Sequence, residues 1–228
     1  MKFTISENVF QKFPEAMVGI VVAKNVNNSG ENREIMQLLR TEEDRIKKEL
    51  NIDDLAQNPL IQNWRKTYRQ LGEDKDKASH EALIRRVLKG NEIRHINKLV
   101  DIYNYVSLKH KTPLGGENID KIDGDIHLKL SNGDERFILL GSQEPSHPDT
   151  GEVIYCDDKK VLCRKWNWRE SDETKLTEET KSAFLVIDAL PPFTEASMKT
   201  AAHELSELVK KHCGATANTF ILNSKTHR

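Results

Sequence analysis

The sequence predicts an α+β protein of mixed sheets and packed helices. Apolar residues recur at helical spacing in several long segments, while short runs rich in Val, Ile and Leu sit between turn signals. The two kinds of segment are mixed along the chain. They do not alternate strictly, so a regular βαβ winding is excluded.

The first apolar run, residues 17–23 (MVGIVVA), is short and β-branched and predicts a buried strand. Residues 25–30 (NVNNSG) then break the chain. Residues 32–50 form an amphipathic helix on Ile35, Met36, Leu38, Leu39, Ile46 and Leu50. Asn58-Pro59 caps and opens the next helix, which carries Leu60, Ile61, Trp64 and Tyr68. Residues 79–90 predict a helix with Ser79 as N-cap, a stripe of Leu83, Ile84, Val87 and Leu88, and Gly90 as its stop. Another helix covers 97–109, ended by Pro113 and Gly115-Gly116.

The pattern then changes. Residues 125–130 alternate as a strand, Ser131-Asn132-Gly133 reads as a hairpin turn, and 136–140 returns as its partner. A second hairpin is expected from 151–155 and 160–164 around a solvent-facing Asp157-Asp158 turn. Residues 183–187 are a buried strand, 195–211 a helix with a clean apolar face, and 217–222 a last strand. The 228 residues are read as a single domain, 1–228, large enough for a sizeable core.

The formal net charge of −1 excludes the global field of a nucleic-acid coater, so any nucleic-acid contact needs a local basic face. No apolar run approaches the roughly 18–20 residues that cross a bilayer. The N-terminus lacks a basic head before an apolar stretch. Cys156, Cys163 and Cys213 form no CxxC pair and are expected as buried thiols in a reducing cytoplasm, with no metal and no cofactor.

Two basic clusters stand out. Between Lys75 and Lys98 lie Lys77, Arg85, Arg86, Lys89, Arg94 and His95. Their helix already has a buried stripe, so several face water. They suit phosphate binding, or form a solvated surface offset by Glu73, Asp74, Asp76, Glu81 and Glu92. The second cluster is 163–169 (CRKWNWR). Strand alternation would place Arg164, Trp166 and Trp168 on one face and Lys165, Asn167 and Arg169 on the other. Flat rings with guanidinium groups suit stacking on a base, or a Trp pair plugs a core edge under its Arg neighbours. The standard nucleotide, metal and nucleophile motifs are absent.

Residues 100–108 (VDIYNYVSL), followed by 112–116 (TPLGG), resemble the phenylalanyl-tRNA synthetase beta-subunit pattern V-D-[IV]-T-N-Y-V-x-x-E-x-G-Q-P-x-H. The stretch from Glu152 through CRKWNWR to Thr180 and Val186 is similar to stand-alone members of that family. The resemblance covers 58–191. It implies the editing-domain fold of the third and fourth domains of that subunit, and water attack on the ester of a mischarged tRNA. The substrate pocket it implies comprises Asn104, Gly115, Gly116, Glu117, Glu152, Tyr155, Asn167 and Trp168, with Arg85, Arg86, Lys89, Arg164 and Arg169 on RNA. Where the family carries a His after its Pro-x pair, this chain has Gly115, so Glu117, Glu152 and Asp172 become the candidate catalytic groups. Three activities fit: deacylation of aminoacyl-tRNA in trans, tRNA or RNA binding without chemistry, and a pocket for a free amino acid or related small molecule.

Overall fold

The computed structural model describes residues 1–73 and 75–226. Its elements run β1 (Phe3–Ile5), α1 (Glu7–Lys12), β2 (Met17–Lys24), α2 (Arg33–Glu49), α3 (Pro59–Gln70), α4 (Ser79–Leu88), α5 (Lys98–His110), β3 (Leu114–Asn118), β4 (Ile126–Leu130), β5 (Phe137–Ile138), β6 (Pro145–Ser146), β7 (Val153–Cys156), β8 (Val161–Arg164), β9 (Arg169–Glu170), β10 (Ser182–Ala189), α6 (Glu195–Cys213) and β11 (Thr216–Leu222). The α+β class follows directly. Among the described residues, no helix is long and apolar enough to cross a membrane.

The two most apolar runs form the centre. β2 and β10 pair antiparallel along their full length, with β11 outside β2 and β3 outside β10. Val21, Ala23, Leu185 and Ile187 face one core with α2, α4, α5 and α6. Val18, Ile20, Phe184 and Val186 face a second core, shared with α1, α3 and the other sheet. Burial on both faces is why these strands read as continuous apolar runs rather than as alternation. At Gly19 a Cβ would lie 2.5 Å from Met198 Sδ, so the missing side chain lets α6 pack onto β2. The second sheet has the order β1-β4-β7-β8-β9.

The cap expected at Asn58 is present, and α2 and α5 are capped in the same way. Asn32, Asn58 and Asn97 each accept from backbone amides of their first turns. For α4 the N-cap is Ala78, and Ser79 is the first helical residue, its Oγ buried without a partner. The hairpin expected at 131–133 does not form. β4 pairs with β7, Leu130 opposite Val153, while 137–138 pairs with 145–146. The Glu135 carboxylate folds the turn on itself, accepting from Ser131 Oγ and the amides of Asn132 and Gly133 and pairing with Lys129. The β7–β8 hairpin forms as expected, but Asp157 is buried rather than solvent-facing. Its carboxylate accepts from the amides of Asp123, Lys159 and Lys160.

Two further expectations fail where the site is built. The Leu-Gly-Gly stretch after Pro113 opens strand β3 on the sheet edge, and α5 has already ended at Lys111, whose φ is 52°. The CRKWNWR stretch is not one alternating strand. It ends β8, turns tightly and starts β9, because Lys165 and Trp166 are both left-handed, at φ 51° and 61°. Asp74 lies outside the described residues. The N-terminal segment, in which the sequence shows no motif, supplies β1, parallel to β4, and α1.

Candidate functional site

The β8–β9 turn is the keystone of the site, and Glu152 holds it. Its Oε1 accepts from Arg164 Nε (3.0 Å) and the Lys165 amide (2.7 Å). Its Oε2 accepts from Arg164 Nη2 (2.7 Å) and the Asp149 amide (3.1 Å). Two consecutive non-glycine residues at positive φ are unfavourable alone and persist where surroundings fix them. Lys165 Nζ adds pairs to Glu73 (2.5 Å) and Asp76 (2.6 Å). The turn drives Trp166 into the core, 5.1 Å between centroids from both Phe13 and Trp64.

Behind Trp166 lies a small inner cavity of about 20 Å³, bounded by β3, β10, Tyr155 and the hairpin. Asp188 of β10 sits in its wall. It accepts from Tyr155 Oη (2.5 Å) and Trp166 Nε1 (3.2 Å) on Oδ1, and from Asn167 Nδ2 (3.4 Å) on Oδ2. Burial outweighs these donors and pushes its carboxyl up to about 7. Asn167 in turn accepts from Tyr68 Oη and the Ser79 amide, which joins the hairpin to α3 and α4.

Glu117 and Glu170 face the same cavity from β3 and β9. Glu117 is 4 % exposed and its Oε2 has no hydrogen-bond partner. Burial and the adjoining Glu170 carboxyl hold Glu117 well above the usual carboxylate range, and burial raises Glu170 as well. Two adjacent buried carboxyls share a proton more readily than they both ionise. Such a pair can offer an acid and a base side by side. A Cβ on Gly115 would lie 3.0 Å from Glu170 Oε1, so the carboxylate stands against the backbone where a side chain at 115 would begin. Gly116 is required by packing, since its Cβ would come within 2.3 Å of Leu185. Cys163 also lines this cavity, but burial pushes its thiol well up, which removes it as a nucleophile.

Outside this cavity, an open cleft runs between α4, α5 and the hairpin, lined in part by Ser79, Arg86, Asn104 and Trp168. Leu114, Asn167 and Glu170 line both spaces, so the cleft and cavity adjoin. Trp168 Nε1 is buried without a partner, and Arg169 lies 5.2 Å over its ring.

The structure therefore gathers Gly115, Gly116, Glu117, Tyr155 and Asn167 around the inner cavity, and Asn104, Asn167 and Trp168 around the cleft. Glu152 belongs to neither. Its oxygens are saturated by Arg164 and backbone amides, so the candidate catalytic role is replaced by a structural one. Asp172 is also outside, accepting from Lys175 and the Gly141 amide. Of the cations, Arg86, Lys89 and Arg169 are exposed, whereas Arg85 is paired with buried Glu81 and Arg164 with Glu152. The sequence reading missed Glu170 and Asp188. Asp188 had a signal, since a lone acid inside an apolar strand (AFLVIDAL) marks a buried, perturbed carboxyl. Glu170 had none, for it lies in an ordinary polar run.

The B3/4 domain family matches residues 63–214. The phenylalanine–tRNA ligase beta subunit of Dechloromonas aromatica is 31 % identical over 109 residues, covering 48 % of this chain and 14 % of that one. The corresponding subunit of Shewanella oneidensis is 34 % identical over 86 residues, covering 38 % and 11 %. The chain thus spans 14 % or less of the length of these two relatives. An N-terminal fragment of the phenylalanyl-tRNA synthetase beta subunit from Pyrococcus horikoshii superimposes with a TM-score of 0.47 at 15 % identity, covering 95 % of this chain and 50 % of that one.

Proposed function

From the premise that the chain belongs to the B3/4 domain family, we propose that it binds the aminoacyl end of a tRNA and hydrolyses the ester of a mischarged one in trans. The names of the related ligase subunits point to tRNA as the substrate class. One observation carries the chemistry: the Glu117–Glu170 carboxyl pair, with an unpartnered oxygen, at an inner cavity that adjoins an open cleft.

In this reading the cleft takes the terminal nucleotides, with Arg86 toward phosphate and Asn104 toward ribose or base. The ionised member of the pair takes a proton from water as its oxygen bonds to the ester carbonyl carbon. The bond to the ribose oxygen then breaks, and the protonated member supplies that oxygen's proton. Geometry of this kind converts a bimolecular attack into a positioned one. Glu170 stands beside Gly115, the position at which the family pattern carries its His. That same replacement supports a second reading, in which the chain binds charged tRNA without cleaving it.

A panel of mischarged tRNAs separates the two. The expected outcome is release of amino acid from at least one member, slowed about 100-fold or more by Glu170→Gln. A panel left wholly intact by the purified protein, beside a synthetase that clears its own mischarged product, contradicts hydrolysis.

A further inference from the structure

The inner cavity has a charge pattern that the hydrolytic reading does not require. Glu117, Glu170 and Asp188 all face it, and none of its lining side chains is Lys or Arg. Asp188 already has three donors, so the unpartnered acceptor facing the cavity is Glu117 Oε2, beside Glu170. Glu117 Oε2 is buried and unpartnered, whereas several other buried acids meet cations. Glu152 does so through Arg164, Glu81 through Arg65 and Arg85, and Asp157 through Lys160. An unmet acceptor of this kind is costly unless a ligand supplies the donor. Tyr155 and Trp166 add ring walls to the same space, and aromatic faces attract cations. The cleft outside, which shares Glu170 with the cavity, adds a cation, Arg86, to its wall. A molecule carrying a phosphate at one end and a cation at the other matches this order of charges.

We infer that the inner cavity is an ammonium site, in which Glu117 and Glu170 together receive a protonated amine of the aminoacyl group. This rests on the aminoacyl-tRNA reading and narrows it. An ammonium has three donors and a full charge to place. The ionised carboxyl meets the charge and the carbonyl oxygen of its protonated partner accepts a further hydrogen bond, so the shared proton stays with the pair. The amine is either the α-ammonium, common to all aminoacyl groups, or the side-chain ammonium of a basic amino acid.

Calorimetry on the intact protein tests this with three stable 3′-amide-linked aminoacyl-adenosine probes: lysyl, norleucyl and N-acetylnorleucyl. The site predicts that N-acetylnorleucyl, which has no ammonium, binds at least about tenfold more weakly than the tightest of the three. Lysyl binding tighter than norleucyl assigns the side-chain amine, and equal binding of those two assigns the α-amine. Glu117→Gln is expected to bring the three affinities together, with its circular dichroism spectrum unchanged. Equal affinity of all three probes for the native protein overturns the ammonium site but leaves the aminoacyl reading standing. If no probe binds, both fall.

Discussion

The β8–β9 hairpin separates two acidic clusters with opposite fates. On one side Glu73, Asp149 and Glu152 bring carboxylate oxygens within 4.8 Å of one another. Arg164 and Lys165 lie among them, so these charges are spent on holding the turn. On the other side Glu117, Glu170 and Asp188 line a cavity with no cation among them, and burial raises all three. Acidity therefore does not distinguish the functional cluster from the structural one. What distinguishes it is whether the fold supplies the counter-charge. The first cluster stabilises the protein by meeting its cations; the second, which meets none and leaves Glu117 Oε2 unpartnered, is the one proposed to act.

Removing Glu152 is the most severe way to break this contrast. Glu152→Ala strands the Arg164 guanidinium and frees two left-handed residues. The expected loss is about 3–5 kcal/mol in urea unfolding, the usual consequence of breaking a buried pair from one side. A loss below about 1 kcal/mol would show that the hairpin is held by other contacts.

Asp188 sharpens the contrast through pH. Its folded carboxyl is raised from 3.8 to about 7, so between those values the native protein holds a proton that the unfolded chain has released. Its stabilising contribution is complete below about pH 4 and declines as pH rises through about 7. The total is on the order of a few kcal/mol. Unfolding free energies measured across pH 4–8 should fall with pH, and Asp188→Asn should flatten that slope. An unchanged slope in the variant assigns the pH dependence elsewhere.

Asp172 marks the small end of the scale. It pairs with Lys175 at the surface, outside both clusters. Asp172→Asn should leave the unfolding midpoint and the deacylation rate indistinguishable from the parent. A marked fall in rate would return Asp172 to the active groups and redraw the site.

Much of the architecture was legible in local pattern. The doubly buried β2 and β10 announced themselves as apolar runs, and Asn58 caps its helix as its side chain and the following Pro59 signal. Legibility failed where long-range pairing decides. The Gly115-Gly116 stretch reads as a turn, yet β10 recruits it as an edge strand. The Trp-rich stretch reads as alternating because nothing in Lys165-Trp166 signals left-handed backbone; Glu152, distant in sequence, imposes it. The same holds for the site. Asn167 and Trp168 stood out by composition, but Glu117 meets Glu170 only through the packing of β3 against the β8–β9 hairpin.

The central claim is that the unsatisfied cluster receives the aminoacyl end of a tRNA. It is tested most directly by comparing two forms of one tRNA, uncharged and carrying a stable amide-linked amino acid at its 3′ end. The native protein should bind the charged form at least about tenfold more tightly, and Glu117→Gln should reduce that preference toward unity. Equal affinity of the native protein for both forms would contradict the account.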